Sequence, residues 1–237
     1  MKHEVKAAPM LSSVFRLEKK ALGWLYYVPA LVLFVLLPVI LTVYYALNAE
    51  RGFDNNFFMV AVGLCQTHIP FFSLFLCALV EGEHLSPGGY ELFQSFAPSS
   101  LAWTKHIFLD LYLLLVLAWY LLLTLLLPGF MVEFLYIIFI IAFVYGSGNL
   151  VMTISHSKIW TILYAFILCF IVQDNSRTGQ FPTWYTLAQH TTILSVLSEG
   201  MIYLIIGMLC LAVSALLHRS KINISLVNHL KHKLLGE

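Results

Sequence analysis

Residues 21–49 read ALGWLYYVPALVLFVLLPVILTVYYALNA, an uncharged run from Ala21 to Ala49 that is closed by Glu50. Roughly 20 apolar residues at about 1.5 Å rise each cross the hydrocarbon core of a bilayer. The run therefore holds one transmembrane helix, near Trp24–Leu47. The chain around it has the same character: 60% of its residues are hydrophobic and only 11% charged, against about 25% charged in an ordinary soluble domain. That much apolar surface cannot be hidden in one water-soluble core of this size, and the bilayer is the solvent that tolerates it.

Further runs lie on the C-terminal side. A second uncharged stretch covers Asn55–Val80, and a third goes from near Ile107 to Leu127, where Pro128-Gly129 marks a tight turn. A fourth runs from Phe134 to about Thr153. A fifth, Ile159–Gln173, is bounded by Lys158 and Asp174 and is short for a full span; a sixth, Gly200–His218, leads into a basic tail. Between the last two, Thr178–Ser198 is uncharged but mixed, with Phe181-Pro182, Trp184, Tyr185, Gln189 and His190. Irregular backbone at membrane depth needs protein or water around it, so this stretch is expected to be a re-entrant element before the last span. The expected fold is an all-α membrane protein of about six transmembrane helices, one domain over residues 1–237.

Charge sets the expected orientation. Lys2, Lys6, Arg16, Lys19, Lys20, Lys105, Lys158, Arg219, Lys221, Lys231 and Lys233 fall on one side, and only Arg51 and Arg177 on the other. The positive-inside rule then puts both termini in the cytoplasm and the chain in the plasma membrane as a multi-pass protein. Before the first span, Leu11, Val14, Phe15, Ala21 and Leu22 recur at helical spacing opposite Ser12, Ser13, Arg16, Lys19 and Lys20. Residues 1–22 are thus expected to carry an interfacial helix on the inner surface. Residues 219–237 read as a basic tail, also surface-bound, with Leu226, Val227, Leu230 and Leu234 on one face. Trp24, Tyr26, Tyr27, Tyr44, Tyr45, Trp103, Trp160, Trp184 and Tyr185 flank the spans as an aromatic belt. No cleavable signal peptide is expected, since the first apolar run is far too long for an h-region. Cys65, Cys77, Cys169 and Cys210 form no CxxC pair and read as small hydrophobes. A net charge of +1 gives no field that would recruit nucleic acid.

The stretch between the second and third spans, Glu81–Lys105, is not a plain polar connector. Ser86-Pro87 opens it and Gly88-Gly89 can turn sharply. Tyr90, Phe93 and Phe96 then recur at three-residue spacing beside Glu91 and Leu92, and Pro98 stops the turn. The result is a short helix with an aromatic face and acidic flanks. About two turns of helix are not stable alone in water, so the segment needs a partner surface or the bundle behind it.

At these residues the chain resembles a known family. The run Glu81, Glu83, Glu91, Leu92, Pro98 and Ser100 is similar to the loop of ABC-2-type transporter permeases, where acidic residues ending helix 2 precede a short Glu-Leu helix and a proline stop. Gln180-Phe-Pro-Thr-Trp-Tyr resembles that family's re-entrant element. The resemblance implies the transmembrane half of an ABC exporter. Glu81, Glu83, Tyr90, Glu91, Leu92, Phe93, Phe96 and Pro98 would then couple it to a separate cytosolic ATPase subunit. ATP and Mg would be held by that partner and no cofactor by this chain, which has no G-x-x-x-x-G-K-[ST] loop. A second permease chain, like or unlike, would complete the pore.

Other residues carry weaker signals. Gln66 and His68 lie mid-span beside Thr67 and Pro70, and intramembrane polar groups are either interhelical glue or part of a substrate path. His106 and Asp110 are four apart, share a helix face, and are too few to hold a metal. Glu133 and Asp174 are expected near the outer surface and solvated. Gly146-Ser147-Gly148 with Asn149 invites comparison with rhomboid proteases, but Tyr145 stands at the first glycine position, and small residues allowing close helix packing are the simpler account. The alternatives to a transport subunit are an intramembrane enzyme built on His68, Ser147 or His106/Asp110, and a non-transporting immunity or binding component.

Overall fold

The structure, a computed structural model, describes residues 19–20, 22–48, 55–84, 107–126, 130–172 and 192–235. Every element among these residues is helical. In chain order, α1 is Gly23–Leu47, α2 is Asn55–His84, α3 is Ile107–Leu126, α4 is Phe130–Ser155, α5 is Lys158–Phe166 and α6 is Ile193–Leu235. Among the described residues, four helices are long and apolar enough to cross a membrane: α1, Phe108–Leu125 of α3, α4, and Ile193–Leu217 of α6. Two shorter apolar stretches, Val60–Phe75 in α2 and Lys158–Phe170, fall below that length. The chain has the build of a multi-pass α-helical membrane protein.

Several local features follow directly from the residues. At Gly23 the backbone takes φ +56°, a conformation that costs any residue with a Cβ about 1–2 kcal/mol. The glycine breaks the helical path between Lys19-Lys20 and the span. Pro38 has no N–H to give to Phe34, and the turn before it widens into π-helix over Val32–Leu36, with Leu37 donating to the carbonyl of Val32. A second π-helical turn, Ile167–Val172, continues α5. The α4–α5 connection is two residues long; there His156 sits at φ +51° and its N–H closes on the carbonyl of Met152 at 2.8 Å. That is a left-handed helix stop occupied by something other than glycine.

Helix α2 is the hub. From Ala61 to Ala78 each of its described side chains is buried or half-buried, because α1, α3, α4 and α5 all pack against it. Helix α4 is the other interior helix: 61% of its apolar window is buried, against 17% for α6 and 22% for α1. Helix α1 touches the core through Val32, Leu33, Leu37 and Leu41 and turns Leu31, Val35, Val39 and Val43 outward. In a bilayer such outward apolar faces meet acyl chains at no cost.

Two expectations change. The last helix begins at Ile193, not Gly200, so Ile193–Ser198 are its first turns and no part of a separate dipping element. It also runs on without interruption through the basic tail to Leu235. Once a helix is nucleated in the membrane, extending it costs little and saves the carbonyls of its last turn. Glu133 is the second correction. It is only 2% exposed, buried in the first turn of α4 and not solvated. A carboxylate at that place is favoured by the unpaired N–H groups and dipole of the helix N-terminus. Residues 173–191, with Asp174 and most of the expected re-entrant stretch, lie outside the described residues, as do residues 1–18 and 85–106.

Candidate functional site

The interior polar groups come from several helices of the bundle. Helix α4 meets α6 along one seam. On α6 the residues turned inward are Val196, Gly200, Tyr203, Gly207, Cys210 and Ser214, alternating three and four apart, while most of their neighbours face out. This is the narrow stripe of a left-handed helix pair. The seam is close because it is built on glycine. A Cβ on Gly146 would run into the backbone of Gly207, and one on Gly207 into the backbone at Ala142 and Phe143. A Cβ on Gly148 would strike the Leu74 side chain of α2, so α4 is squeezed on two sides.

At the far end of the seam the helices are tied by hydroxyls. Ser214 donates to Asn149 Oδ1 at 2.7 Å, and its oxygen lies 2.6 Å from Thr153 Oγ1. Ser214 has one proton, given to Asn149, so Thr153 is the donor of the second bond; it shares that proton with the carbonyl of Asn149 at 2.9 Å. The close contacts at Gly146 and Gly148 fit the reading of the small residues as packing positions. Ser147 donates its hydroxyl to the carbonyl of Phe143 at 2.7 Å, which occupies the proton a nucleophile would have to give up.

On α2 the mid-span polar residues are mostly satisfied in the same local way. Thr67 donates to the carbonyl of Gly63 at 2.8 Å, and Ser73 to that of Pro70 at 2.6 Å. From α3, Tyr112 donates to the carbonyl of Ile69 at 2.7 Å, and the Trp119 indole to Cys65 Sγ at 3.4 Å. His68 Nδ1 lies 2.9 Å from the carbonyl of Leu64, and a carbonyl only accepts, so Nδ1 carries the proton and Nε2 keeps the lone pair. The imidazole stands edge-on to Phe170 at 5.4 Å.

Gln66 differs from all of these. It is 1% exposed, and both its Oε1 and Nε2 are buried without a hydrogen-bond partner. A buried amide left unbonded costs about 1–3 kcal/mol or more.

The two residues expected to share a substrate path are not brought together. Two positions on a helix differ by about 200° around its axis. Gln66 faces the closed interior, and His68 is half-buried against Phe170 beyond α5. Glu81 and Glu83 fall in the last turns of α2, whereas Tyr90, Glu91, Leu92, Phe93, Phe96, Pro98 and His106 lie outside the described residues. Asp110 is exposed on the first turn of α3. Among the described residues no three His, Cys, Asp or Glu side chains come together in a way that could hold a metal ion. Cys65 and Cys169 are buried and free, and Cys210 is half-buried and free.

Two features of this interior were missed at the level of sequence. The burial of Glu133 left no signal in the residues around it. The α6 seam did leave one: Gly200, Gly207 and Ser214 repeat every seven residues, a small-residue heptad inside a uniformly apolar helix.

No family model, curated protein or solved structure matches the chain. The geometry of the bundle therefore stands on its own, and it offers two polar centres: a closed tie between α4 and α6, and an unsatisfied amide on the hub helix.

Proposed function

We propose that this chain is the permease subunit of an ABC-2-type exporter. It would move an amphipathic or hydrophobic substrate across the plasma membrane with energy from a separate cytosolic ATPase. In this reading Val60–Phe75 of α2 and Lys158–Phe170 join the four longer helices to make six spans, and both termini face the cytoplasm. Nucleotide and Mg belong to the ATPase, and a second permease chain completes the transport path.

The observation that carries the reading is the length of α2. Its 30 residues measure about 45 Å, against about 30 Å of hydrocarbon. The uncharged run of α2 ends at Val80, and Glu81 and Glu83 follow directly in its last turns. The hub helix therefore ends on acidic residues, and in the sequence these are followed by Gly88-Gly89 and the Tyr90–Phe96 segment. A push on that segment would reach the helix that touches α1, α3, α4 and α5, which is the element best placed to reorganise the bundle.

Affinity purification of the tagged chain in mild detergent tests the proposal. An ATPase carrying a Walker motif is expected to co-purify, with hydrolysis that Phe93→Pro uncouples while the bundle stays folded. Cytoplasmic-face labelling of a cysteine placed at Tyr90 is expected as well. Labelling from the outside, or catalytic turnover by the isolated chain, would overturn the assignment in favour of another function.

A further inference from the structure

Gln66 concentrates more unused hydrogen-bonding capacity than any other described position of the hub. Its side chain offers two N–H donors and one acceptor oxygen, and neither Nε2 nor Oε1 is bonded. Its main-chain carbonyl has also lost its regular helical donor. That donor would be the N–H of residue 70, and residue 70 is Pro70, inside the helix. An amide N–H₂, an amide oxygen and a main-chain oxygen of one residue are thus left without their usual partners. Thr67, His68 and Ser73 nearby are each satisfied by a carbonyl of the same helix, so the deficit belongs to Gln66 and is not general to this depth.

We propose that Gln66, with the carbonyl that Pro70 deprives of its helical donor, is an intramembrane binding site for an uncharged group that both donates and accepts hydrogen bonds, an amide or a hydroxyl. The absence of charge follows from the surroundings. Residues 61–80, 111–126, 134–155 and 159–172 contain no Asp, Glu, Lys or Arg; the buried Glu133, which acts electrostatically on the neighbouring Cys65, would repel an anion, and a cation could not accept from the two N–H donors of the amide. A neutral group with paired donor and acceptor matches the amide at both ends. At 1% exposure the site is closed in this arrangement, and the ligand enters when α2 separates from its neighbours. As a point on a substrate path, the site rests on the transport reading; binding itself requires only this chain.

The test uses the full chain in lipid nanodiscs with two probes, N-acetyl-Leu-Leu-amide for the amide class and monooleoylglycerol for the hydroxyl class. Without probe, Gln66→Met is expected to melt about 2–4 °C above the native chain, because an unbonded amide has been replaced by an apolar side chain of similar length. With probe, at least one of the two is expected to raise the melting temperature of the native chain, and Gln66→Met to weaken its binding about tenfold or more. The responding probe tells amide from hydroxyl. Equal response of native and variant chains to both probes overturns the site. So does a lower melting temperature for both Gln66→Met and Gln66→Leu without probe, or failure of both to fold, since the amide would then be bonded in the resting protein. Loss of the site with an ATPase still co-purifying leaves the transport assignment standing; probe binding at Gln66 with no ATPase partner does the reverse.

Discussion

The tie at Asn149, Thr153 and Ser214 and the amide at Gln66 are both polar, both buried and both in the apolar interior, yet they are opposites. In the first, two helices contribute complementary groups and both hydroxyl protons are accounted for. In the second, one helix brings donors and acceptors that nothing answers. The first arrangement is what a bilayer demands of polar side chains, because lipid offers no alternative partner. The second survives only if the residue is wanted for something other than holding this conformation together. Satisfied polar groups in this bundle therefore mark fixed contacts, and the unsatisfied one marks where the bundle is expected to open.

The largest effect is expected on the fixed side. Gly207→Leu forces the α4 and α6 backbones apart and should cost about 3 kcal/mol or more, read as a steep fall in melting temperature in detergent. A tolerated leucine would mean that the seam is not a close contact. Gln66→Met should act in the opposite direction, stabilising by about 1–3 kcal/mol. A loss of stability there would erase the distinction between the two centres. Ser214→Ala removes the middle of the tie and should cost about 0.6–2 kcal/mol. A double-mutant cycle with Asn149→Ala should recover most of that value as coupling; additive effects would show that the tie is not a unit. The smallest effect serves as a control touching neither centre. His156→Gly relieves a left-handed residue and should stabilise by about 0.5–1 kcal/mol, visible by the same melting assay.

The helices were legible in the sequence because charge and proline puncture the apolar runs. Glu50 bounds α1, Lys158 opens α5, and Pro128-Gly129 separates α3 from α4. What could not be read was which face of each helix turns inward. In water an amphipathic pattern would have shown it, but α4 and α6 are apolar all round, and their inward faces are chosen by residue size, at Gly146, Gly200 and Gly207. Gln66 and His68 are close in sequence and equally conspicuous among hydrophobes, but helical geometry sends them to different surroundings. Glu133 was misjudged because a lone acid near a turn is normally solvated, and only the packing of the neighbouring helices buries it. The end of α6 was misjudged because a basic segment after a span reads as a new, surface-lying piece, whereas the backbone simply continues.

That continuity has a mechanical meaning. The 43 residues of α6 form a rod about 64 Å long, while a bilayer with its headgroups is about 40–45 Å thick. The helix beyond Leu217, roughly 27 Å of rod bearing Arg219, Lys221, Lys231 and Lys233, lies past the apolar span as a lever arm. A tilt of about 10° at the membrane boundary would sweep its tip by about 5 Å. Gly146, Gly207 and the Ser214 tie hold α4 and α6 together, so any rocking of that pair would be amplified at the charged end.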